Sequence, residues 1–473
     1  MTPPRPTRST LDRRAFLLTS AAALAAGAAS AATTADSRKD TTMKQYHEPA
    51  RDVPIAEEAD VLVAGAGPAG VAAAIAAARA GAKTRLIEAN GCLGGTWTAG
   101  LLSWIIDSGG KGGVIKEIVG TLKQRGAARQ YGGSVGYDVE DMKLLLDELC
   151  LGAGVRIQLH TRIVAAAKDD AGRLKLAVTE SKSGRQAWAA KAFVDATGDG
   201  DLAALAGCGF DYGRPGSGEA QPMSYIVLFT GATPDGMAPF VRGLAEPRGL
   251  KSPKGRLKKE MERAGVSPSY AGPTIFCIRD DLYCMMANHQ YGVAGTNAAD
   301  VTKATLEGRA EVHKLVAALR SLGDPWSGVH IVATAEHIGV REGRRIRGLY
   351  QVTADDLVKG ARHDDAVCRV HMGVDVHSPD PKKTKGIARE KVRAKPYDIP
   401  MRALIAKDVG GLLMAGRCIS GDFIAHSSYR VTGEAVPMGE AAGIAAALAA
   451  KTGRLPHDVP WPEIRKARDA SAS

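Results

Sequence analysis

The sequence predicts an α/β fold built on a parallel sheet, with an inserted region of mixed α and β structure. Three observations support this prediction. An apolar, β-branched segment at 59–64 leads into a glycine-rich turn and then into an alanine-rich run at 71–80, which is the order strand, turn, helix. A second strand pattern follows at 84–88. The chain of 473 residues, 45% of them hydrophobic, is long enough to bury a large core.

Composition excludes several classes of protein. The 55 glycines follow no strict period, which excludes a collagen-like chain, and seven cysteines are too few for a small disulfide scaffold. None of the cysteines forms a CxxC or CxxCH pattern, so common iron–sulfur clusters, zinc ribbons and c-type haem are not expected. The net charge of +11 is modest, and the basic runs carry no nucleic-acid-binding signature, so we expect no nucleic-acid partner.

The first 31 residues have the pattern of an export signal. Residues 1–14 are polar and basic, 15–29 are apolar, and Ala29-Ser30-Ala31 is a small-x-small cleavage site. The pair Arg13-Arg14 before the apolar run resembles a twin-arginine signal; an ordinary secretory signal is the alternative. Either signal predicts a periplasmic or secreted mature protein, and the apolar run is too short to span a membrane. Residues 32–57 are predicted to be a linker.

The glycine-rich turn has the spacing of a dinucleotide-binding site. Its sequence is Gly65-Ala66-Gly67-Pro68-Ala69-Gly70. Gly65 permits the tight turn, Gly67 lets a pyrophosphate approach the backbone, and Gly70 lets the helix pack close to the strand. The free N–H groups and positive dipole end of the helix attract phosphates. Glu88 ends the second strand, 23 residues after Gly65, where a carboxylate can bond to an adenosine ribose.

The loop that follows Glu88 favours FAD over a nicotinamide cofactor. Residues 89–98 are rich in glycine and include Gly94, Gly95 and Thr96. Such a loop can wrap further phosphate or a ribityl chain, which nicotinamide dehydrogenases rarely need. We therefore predict a Rossmann-like domain that binds FAD.

Beyond this point the sequence resembles the FAD-dependent oxidoreductases related to the fumarate reductase and succinate dehydrogenase flavoproteins. The similar segments are 155–163, 193–201, 339–346, 374–377, 398–404 and 412–420. The resemblance implies a discontinuous, glutathione-reductase-like FAD domain formed by 58–205 and 400–452. It also implies a substrate-covering α+β insert at 206–399, followed by a C-terminal tail at 453–473.

The same resemblance implies a set of cofactor contacts. Ile163 would meet the adenine, a Thr-Gly turn would meet the phosphates, and the start of the last helix would point at the isoalloxazine. The expected FAD contacts are Gly65, Ala66, Gly67, Pro68, Ala69, Gly70, Glu88, Ala89, Gly94, Gly95, Thr96, Ile163, Ala196, Thr197, Gly198, Gly416, Arg417, Ala435 and Val436. Met401 departs from the family pattern, which has Tyr there. Pro437 is expected in the first turn of the last helix.

A dense polar segment at 426–430 is the first candidate for catalysis. His426 can transfer a proton near neutral pH, and Arg430 can hold a carboxylate at two points. The fumarate reductase group has a His and an Arg on a similar segment, which implies these roles. The alternative is that Arg430 pairs with an acid such as Glu434 while His426 caps a turn.

Two other groups are secondary candidates. The arginines 341, 344, 345 and 347, with Glu342, are typical of a salt-bridged scaffold, and substrate binding is the alternative. His337 and His377 are further site candidates, and Asp375 would face the same side of a strand as His377. Two such ligands are too few to predict a metal site, so none is predicted.

We therefore expect an exported FAD-dependent dehydrogenase or reductase of a small organic substrate, with a quinone or a cytochrome as electron acceptor. One alternative is a flavin monooxygenase or oxidase that passes electrons to oxygen. Another is a non-catalytic flavin protein that binds or transfers electrons. The sequence predicts no transmembrane span, and it leaves the substrate and the oligomeric state open.

Overall fold

A seven-stranded sheet forms the centre of the computed structural model, which describes residues 46–243 and 252–471. Its strands and those of four smaller sheets are β1 (Ile55–Ala64), β2 (Thr84–Ile87), β3 (Trp104–Ile106), β4 (Ala128–Tyr131), β5 (Ser134–Tyr137), β6 (Arg156–Gln158), β7 (Arg162–Lys168), β8 (Leu174–Ser181), β9 (Gly184–Asp195), β10 (Phe210–Asp211), β11 (Ile226–Thr230), β12 (Thr274–Arg279), β13 (Leu282–Met286), β14 (His330–Thr334), β15 (Arg345–Ile346), β16 (Ala366–Val370), β17 (Tyr397–Pro400) and β18 (Leu412–Met414). The helices are α1 (Pro68–Arg79), α2 (Gly113–Gln124), α3 (Val139–Gly152), α4 (Asp201–Leu205), α5 (Pro234–Met237), α6 (Pro253–Arg263), α7 (Ala298–Arg320), α8 (Ala354–Lys359), α9 (Phe423–Tyr429), α10 (Thr432–Thr452) and α11 (Trp461–Ser471).

The main sheet confirms the predicted α/β fold. Strands β6, β2, β1, β9 and β18 are parallel, and β7 and β8 extend the sheet in antiparallel fashion. Strand β8 pairs with the first half of β9, whereas β18 pairs with its last three residues. The sheet therefore combines an early and a late part of the chain, as expected for a discontinuous FAD domain.

Helices α1 and α10 cross closely against one side of the sheet. A Cβ on Gly439 of α10 would lie 1.9 Å from the carbonyl oxygen of Ala69, and one on Gly443 would lie 2.1 Å from that of Ala73. Only glycine permits this approach, because any side chain would overlap the α1 backbone. The contact fixes α10 against the helix that follows the glycine-rich turn.

The start of α10 lies one turn earlier than the sequence predicted. The helix begins at Thr432, so Pro437 lies in its second turn. Gly433 holds the preceding turn in place, since a Cβ there would lie 2.2 Å from the carbonyl oxygen of Ile106. Tertiary packing of this first turn compensates for the hydrogen bond that Pro437 cannot donate.

A second apolar core forms around the antiparallel sheet β12-β13-β11-β14 and helix α7. The predicted insert, 206–399, contributes to both cores. Side chains from 223 to 338 build the second core together with Leu101, Trp104 and Val139, which precede the insert. Other side chains of the insert, Ile346, Val352, Val370 and Tyr397, pack into the first core. The domain boundaries stay a prediction, and β1 begins at Ile55, inside the predicted linker.

The predicted export signal, 1–31, lies outside the described residues and stays a prediction. Residues 53–473 form one unit, and residues 46–52 belong to another that contains no described helix or strand. Within 46–243 and 252–471, no helix has the length and apolar character needed to cross a bilayer.

Candidate functional site

The glycine-rich turn lies where β1 and β9 end side by side, with Ala64 paired to Asp195. A Cβ on Gly65 would lie 2.6 Å from the carbonyl oxygen of Ala196, and one on Gly70 would lie 1.8 Å from that of Gly65. Both positions therefore require glycine. A Cβ on Gly67 would meet no protein atom within 4 Å. Open space at Gly67, at the N-cap of α1, is what an incoming phosphate requires.

The second glycine-rich loop closes over this turn. The Gly94 N–H donates to the carbonyl oxygen of Ala66 over 2.7 Å, and Gly95 approaches Gly67, since a Cβ on Gly95 would lie 3.1 Å from the Gly67 Cα. Thr96 follows in a short 3₁₀ turn, Gly95–Trp97. The two loops that the sequence assigned to the cofactor are therefore in contact.

Glu88 lies buried beside the turn, at the end of β2. Its Oε2 accepts the Ala66 N–H over 2.6 Å, and its Oε1 accepts the Asn90 N–H over 2.8 Å. Oε1 also accepts the Asn90 side-chain amide over 2.7 Å, whereas Oε2 has a single donor, so Oε2 can still bind a ribose hydroxyl. The Glu88 carbonyl oxygen accepts the N–H of Thr161, two residues before Ile163. Ala89 is exposed next to Glu88.

Two later segments complete the predicted set. A Cβ on Gly198 would lie 2.5 Å from Nη2 of Arg417, and Nη1 of the same guanidinium donates to Asp199 over 2.9 Å. A Cβ on Gly416 would lie 3.2 Å from the Ala69 Cβ and 3.8 Å from the Ala435 Cβ. We call the loops 65–70, 94–96, 196–198 and 416–417 the cradle. The structure brings these four loops together, and Ala435 with its buried neighbour Val436 lies in the first turns of α10 beside them.

A polar cluster lies at the end of α9, just before α10. We define it as Tyr270, His289, Arg341, Asp375, His377 and Arg430. The Nη2 of Arg430 donates to the backbone carbonyl oxygen of Asp375 over 2.9 Å and lies 3.4 Å from the Asp375 side-chain Oδ2. The same Oδ2 lies 3.4 Å from His377 Nε2, and His377 Nδ1 lies 2.9 Å from His289 Nε2. The Tyr270 ring packs on His289 with centroids 4.2 Å apart.

Arg341 differs from the three arginines that follow it. Arg344 pairs with Asp201, Arg345 with Glu342 and Arg347 with Asp211, as a salt-bridged scaffold predicts. Arg341 is buried and donates to the Pro222 carbonyl oxygen over 2.7 Å. Within the described residues it forms no ion pair.

His426 does not cap a turn. It lies within α9, is fully buried, and neither ring nitrogen has a hydrogen-bond partner in the protein. Burial, together with the positive charges of Arg345, Arg430 and Arg417, lowers its pKa well below the usual range. Buried polar atoms without a partner are expected where a bound molecule supplies the missing bond.

The alternative role of Arg430 was a pairing with an acid such as Glu434; the acid beside Arg430 is Asp375 instead. Glu434 is fully buried in the first turn of α10, and its Oε1 lies 3.1 Å from Lys111 Nζ. The same Lys111 nitrogen lies 3.1 Å from Asp107. Burial raises the Glu434 pKa well above its usual value. The contacts of Lys111 with Glu434 and Asp107 connect the start of α10 to the segment 107–111, which is a structural role.

The chain matches the family described as FAD dependent oxidoreductase over residues 60–467. It belongs to that family. The protein is therefore an enzyme with FAD as its cofactor, and the cradle fits this cofactor, since it leaves Gly67 open and presents the Glu88 carboxylate. When bound, FAD supplies the chemistry of accepting or donating a hydride.

No curated protein sequence matches the chain. Among solved structures it is similar to a geranylgeranyl bacteriochlorophyll reductase-like protein from Thermoplasma acidophilum, with 12% identity, 88% of this chain and 83% of that chain covered, and a TM-score of 0.43. It is also similar to the p-nitrophenol 4-monooxygenase PnpA from Pseudomonas putida, with 11% identity, 87% of this chain and 84% of that chain covered, and a TM-score of 0.45. The flavin-dependent monooxygenase PieE is similar with 14% identity, 88% of this chain and 63% of that chain covered, and a TM-score of 0.48. These weak similarities do not bear on the reaction. The closer kinship with the fumarate reductase flavoproteins stays a prediction.

The charges of the polar cluster do not balance in this flavoenzyme. Burial and the charge of Arg341 lower the His377 pKa to about 3, and the same two causes lower that of His289 further, so both rings are neutral near pH 7. Burial alone would raise the Asp375 pKa, but a hydrogen bond from His377 and the two arginines outweigh it, so Asp375 is ionised. Burial lowers the Arg341 pKa to about 10, which leaves it charged. Two buried cations therefore face one buried anion.

The sequence identified only part of this cluster. His289 and Tyr270 come from separate segments of the insert and were not predicted, and neither was Gln221 beside the cluster, whose Oε1 accepts the His377 N–H over 3.0 Å. The only available signal was that residues 339–346 and 374–377 both match family motifs. The strand expected at 374–377 is wrong: the segment is a loop with a single bridge, from His377 to Ile387. His337 lies apart from the cluster, and its N–H donates to Ala99 over 3.1 Å.

Proposed function

We propose that this flavoenzyme is a dehydrogenase or reductase whose small organic substrate carries a carboxylate. The observation that carries the proposal is Arg341, a buried guanidinium that lacks an acidic partner in the described part of the chain. An isolated buried charge is costly, and a bound anion would offset that cost. Arg430 lies in the same cluster with its Nε unpartnered, so two guanidinium groups are available to orient one carboxylate.

The proton that accompanies hydride transfer is assigned to a neutral histidine of the site. His377 donates its Nε2–H to Asp375, so its Nδ1 is the nitrogen that can take up a proton, and the Asp375 carboxylate would stabilise the imidazolium that forms. His426 stays the second candidate, because its ring nitrogens have no protein partner and lie in the electrostatic field of both Arg417 and Arg430. The export predicted from Arg13-Arg14 completes the proposal and awaits its own test.

An anaerobic titration tests the function. The FAD-loaded protein is mixed with 2-hydroxy acids and enoates, and separately with their methyl esters, while the visible flavin absorbance is followed. We expect spectral perturbation or bleaching by acids and not by esters. The Arg341→Gln variant should weaken binding of the acid by about 30- to 1000-fold, the range that corresponds to about 2–4 kcal/mol for a truncated buried charge contact. Equal responses to acids and esters would contradict the assignment.

A second experiment separates this function from the oxygen-using alternative. Oxygen consumption is measured with any substrate that reduces the flavin under anaerobic conditions. A dehydrogenase should consume little oxygen while an artificial acceptor is present, whereas stoichiometric oxygen uptake with hydroxylated product would favour the monooxygenase. His377→Asn and His426→Asn are compared in the same assay, and the variant whose pH–rate profile changes shape identifies the proton-transferring histidine.

A further inference from the structure

A strongly basic segment lies on the surface next to the polar cluster. Residues 381–395, which we call the basic strap, contain seven Lys or Arg residues and one Glu, so their net charge is +6 in a chain of net charge +11. The seven cations are all exposed; they are Lys382, Lys383, Lys385, Arg389, Lys391, Arg393 and Lys395. More than half of the net charge of the protein is therefore concentrated in fifteen residues.

The charges of the basic strap are not balanced within the chain. In the part of the chain that the structure describes, none of the seven cationic side chains forms an ion pair or a hydrogen bond. The single acid, Glu390, is engaged by Arg214 over 2.6 Å. From Lys385 to Lys395 every second residue is exposed, and the alternate residues Val392 and Ala394 pack against the first core. The five cations from Lys385 to Lys395 therefore point outward on one side, and Lys382 and Lys383 are exposed in the turn that precedes them, so the seven charges repel one another.

The basic strap is attached directly to the loop that carries His377. The Ser378 N–H donates to the Gly386 carbonyl oxygen over 3.0 Å, and the Ala388 N–H donates to that of Val376 over 2.8 Å. Through Asp375 this loop reaches Arg430, two residues before α10 begins. The outward face of the strap is thus separated from the polar cluster by one layer of backbone.

A cleft opens at the same place. Its volume is about 540 Å³, and charges of both signs line it: the cations Arg214, Lys383 and Arg389 and the acids Glu219, Asp380 and Glu390. It marks a recessed surface between the basic strap and the loop after His377. An incoming partner that covers the strap would therefore also cover this cleft, which adjoins the loop that carries His377.

We propose that the basic strap is the docking surface for an acidic one-electron carrier protein that reoxidises the reduced FAD. Two carrier molecules each take one electron, and the proton held by the reduced cofactor is released to water. Electron-transfer partners use small, charged interfaces in which opposite potentials accelerate encounter. A lipid surface is less well matched, since Ile387 is the only large hydrophobic side chain that the strap exposes, and interfacial anchors need an apolar face.

Reoxidation of the chemically reduced holoenzyme tests the proposal without any substrate. Enzyme reduced with dithionite, freed of excess reductant, is mixed anaerobically in a stopped-flow instrument with an acidic c-type cytochrome or with a basic one of similar potential. We expect the acidic cytochrome to react faster, and its rate constant to fall about tenfold or more between low and physiological ionic strength, because salt screens the attraction. A basic cytochrome that reacts equally fast would overturn the proposal.

Charge-reversal variants localise the effect. Lys382→Glu, Lys383→Glu and Lys385→Glu are combined, and the matched control combines Lys175→Glu, Lys182→Glu and Lys303→Glu, which are exposed and lie outside the strap. The strap variant should slow the acidic cytochrome about tenfold or more, while the control should change the rate by much less. Equal slowing would mean that only net charge matters, and that result contradicts a docking site.

Two further measurements distinguish carrier docking from damage to the FAD site and from membrane binding. Neutral benzoquinone should oxidise the wild type and both variants at the same rate, which shows that the FAD site is intact in each. Binding to vesicles of anionic phosphatidylglycerol is compared with binding to neutral vesicles by co-sedimentation. If the strap variant lost vesicle binding but kept the cytochrome rate, the strap would be a membrane contact, and the carrier proposal would be wrong.

Discussion

At the scale of single residues, Arg341 and Arg345 show how little sequence spacing says about the role of an arginine. The two lie in one basic run, and both are buried, but Arg345 pairs with buried Glu342 while Arg341 pairs with no acid among the described residues. Replacing a charge that is not compensated removes a desolvation cost, whereas breaking a buried ion pair leaves its partner stranded. The same change should therefore have opposite effects at the two positions.

The comparison of Arg341→Met with Arg345→Met tests this difference. We expect Arg341→Met to leave the free energy of unfolding unchanged or to raise it by about 1–4 kcal/mol, and Arg345→Met to lower it by about 3–5 kcal/mol. Denaturant unfolding of the ligand-free proteins gives both values. A large loss of stability in Arg341→Met would show that this guanidinium is structural, which argues against its role in holding a substrate.

His377 predicts a dependence of stability on pH. Burial and the charge of Arg341 lower its pKa from 6.5 to about 3 in the folded protein. Between these two values the unfolded chain binds a proton that the folded protein does not, so stability is present above pH 6.5 and is lost as the pH falls toward 3. The loss at pH 4.5 is about 2–3 kcal/mol from this group. His377→Gln should flatten the profile of unfolding free energy over this range, and superimposable profiles would contradict the assignment.

Gly67 predicts a variant that folds but does not hold its cofactor. Its φ of −65° suits any residue, and an added Cβ meets no protein atom. Gly67→Ala should therefore unfold at the same temperature as ligand-free wild type, yet it should copurify with little FAD, because the methyl group fills the space where the pyrophosphate approaches. Measuring FAD per protein beside ligand-free thermal unfolding checks both parts. Full FAD occupancy would show that the phosphate lies elsewhere.

At the scale of secondary-structure elements, the crossing of α1 and α10 joins the first and last parts of the FAD domain. Gly439→Ala would bring a methyl group to 1.9 Å from the Ala69 carbonyl oxygen, so the helices must separate. We expect a loss of about 1–3 kcal/mol or more in unfolding free energy, with weaker FAD retention, because α10 moves relative to the cradle. Gly120→Ala in α2 is the control: its Cβ meets nothing within 4 Å, and it should be neutral or stabilising by about 0.5–1 kcal/mol.

The elements also show which features a sequence can predict. The strand, turn and helix at 59–80 were predictable, because consecutive residues with strong local preferences carry the whole pattern. The start of α10 was not, because the packing of Gly433 against the backbone of 106–107 outweighs the local preference of Pro437. Local rules fail where a contact distant in sequence supplies the stabilisation.

At the scale of the whole molecule, the same distinction separates the cradle from the polar cluster. Each cradle loop is a short continuous motif, so its role could be inferred before its position was known. The cluster combines residues from five separate segments, represented by Tyr270, His289, Arg341, His377 and Arg430. The spacing of residues in the sequence does not indicate that His289 and His377, 88 residues apart, lie 2.9 Å from each other. Nor does it indicate that Arg341 lacks an acidic partner among the described residues.

The predicted twin-arginine signal would carry the whole protein across the membrane already folded. FAD is made in the cytoplasm, and a cofactor enclosed between the first and last parts of a discontinuous domain is best inserted before transport, which a twin-arginine signal permits. Arg13→Lys combined with Arg14→Lys should retain the protein in the cytoplasm, although the charge is conserved. Arg5→Lys combined with Arg8→Lys should leave export unchanged. Cell fractionation measures the distribution, and normal export of the first variant would indicate an ordinary secretory signal, with FAD acquired after translocation.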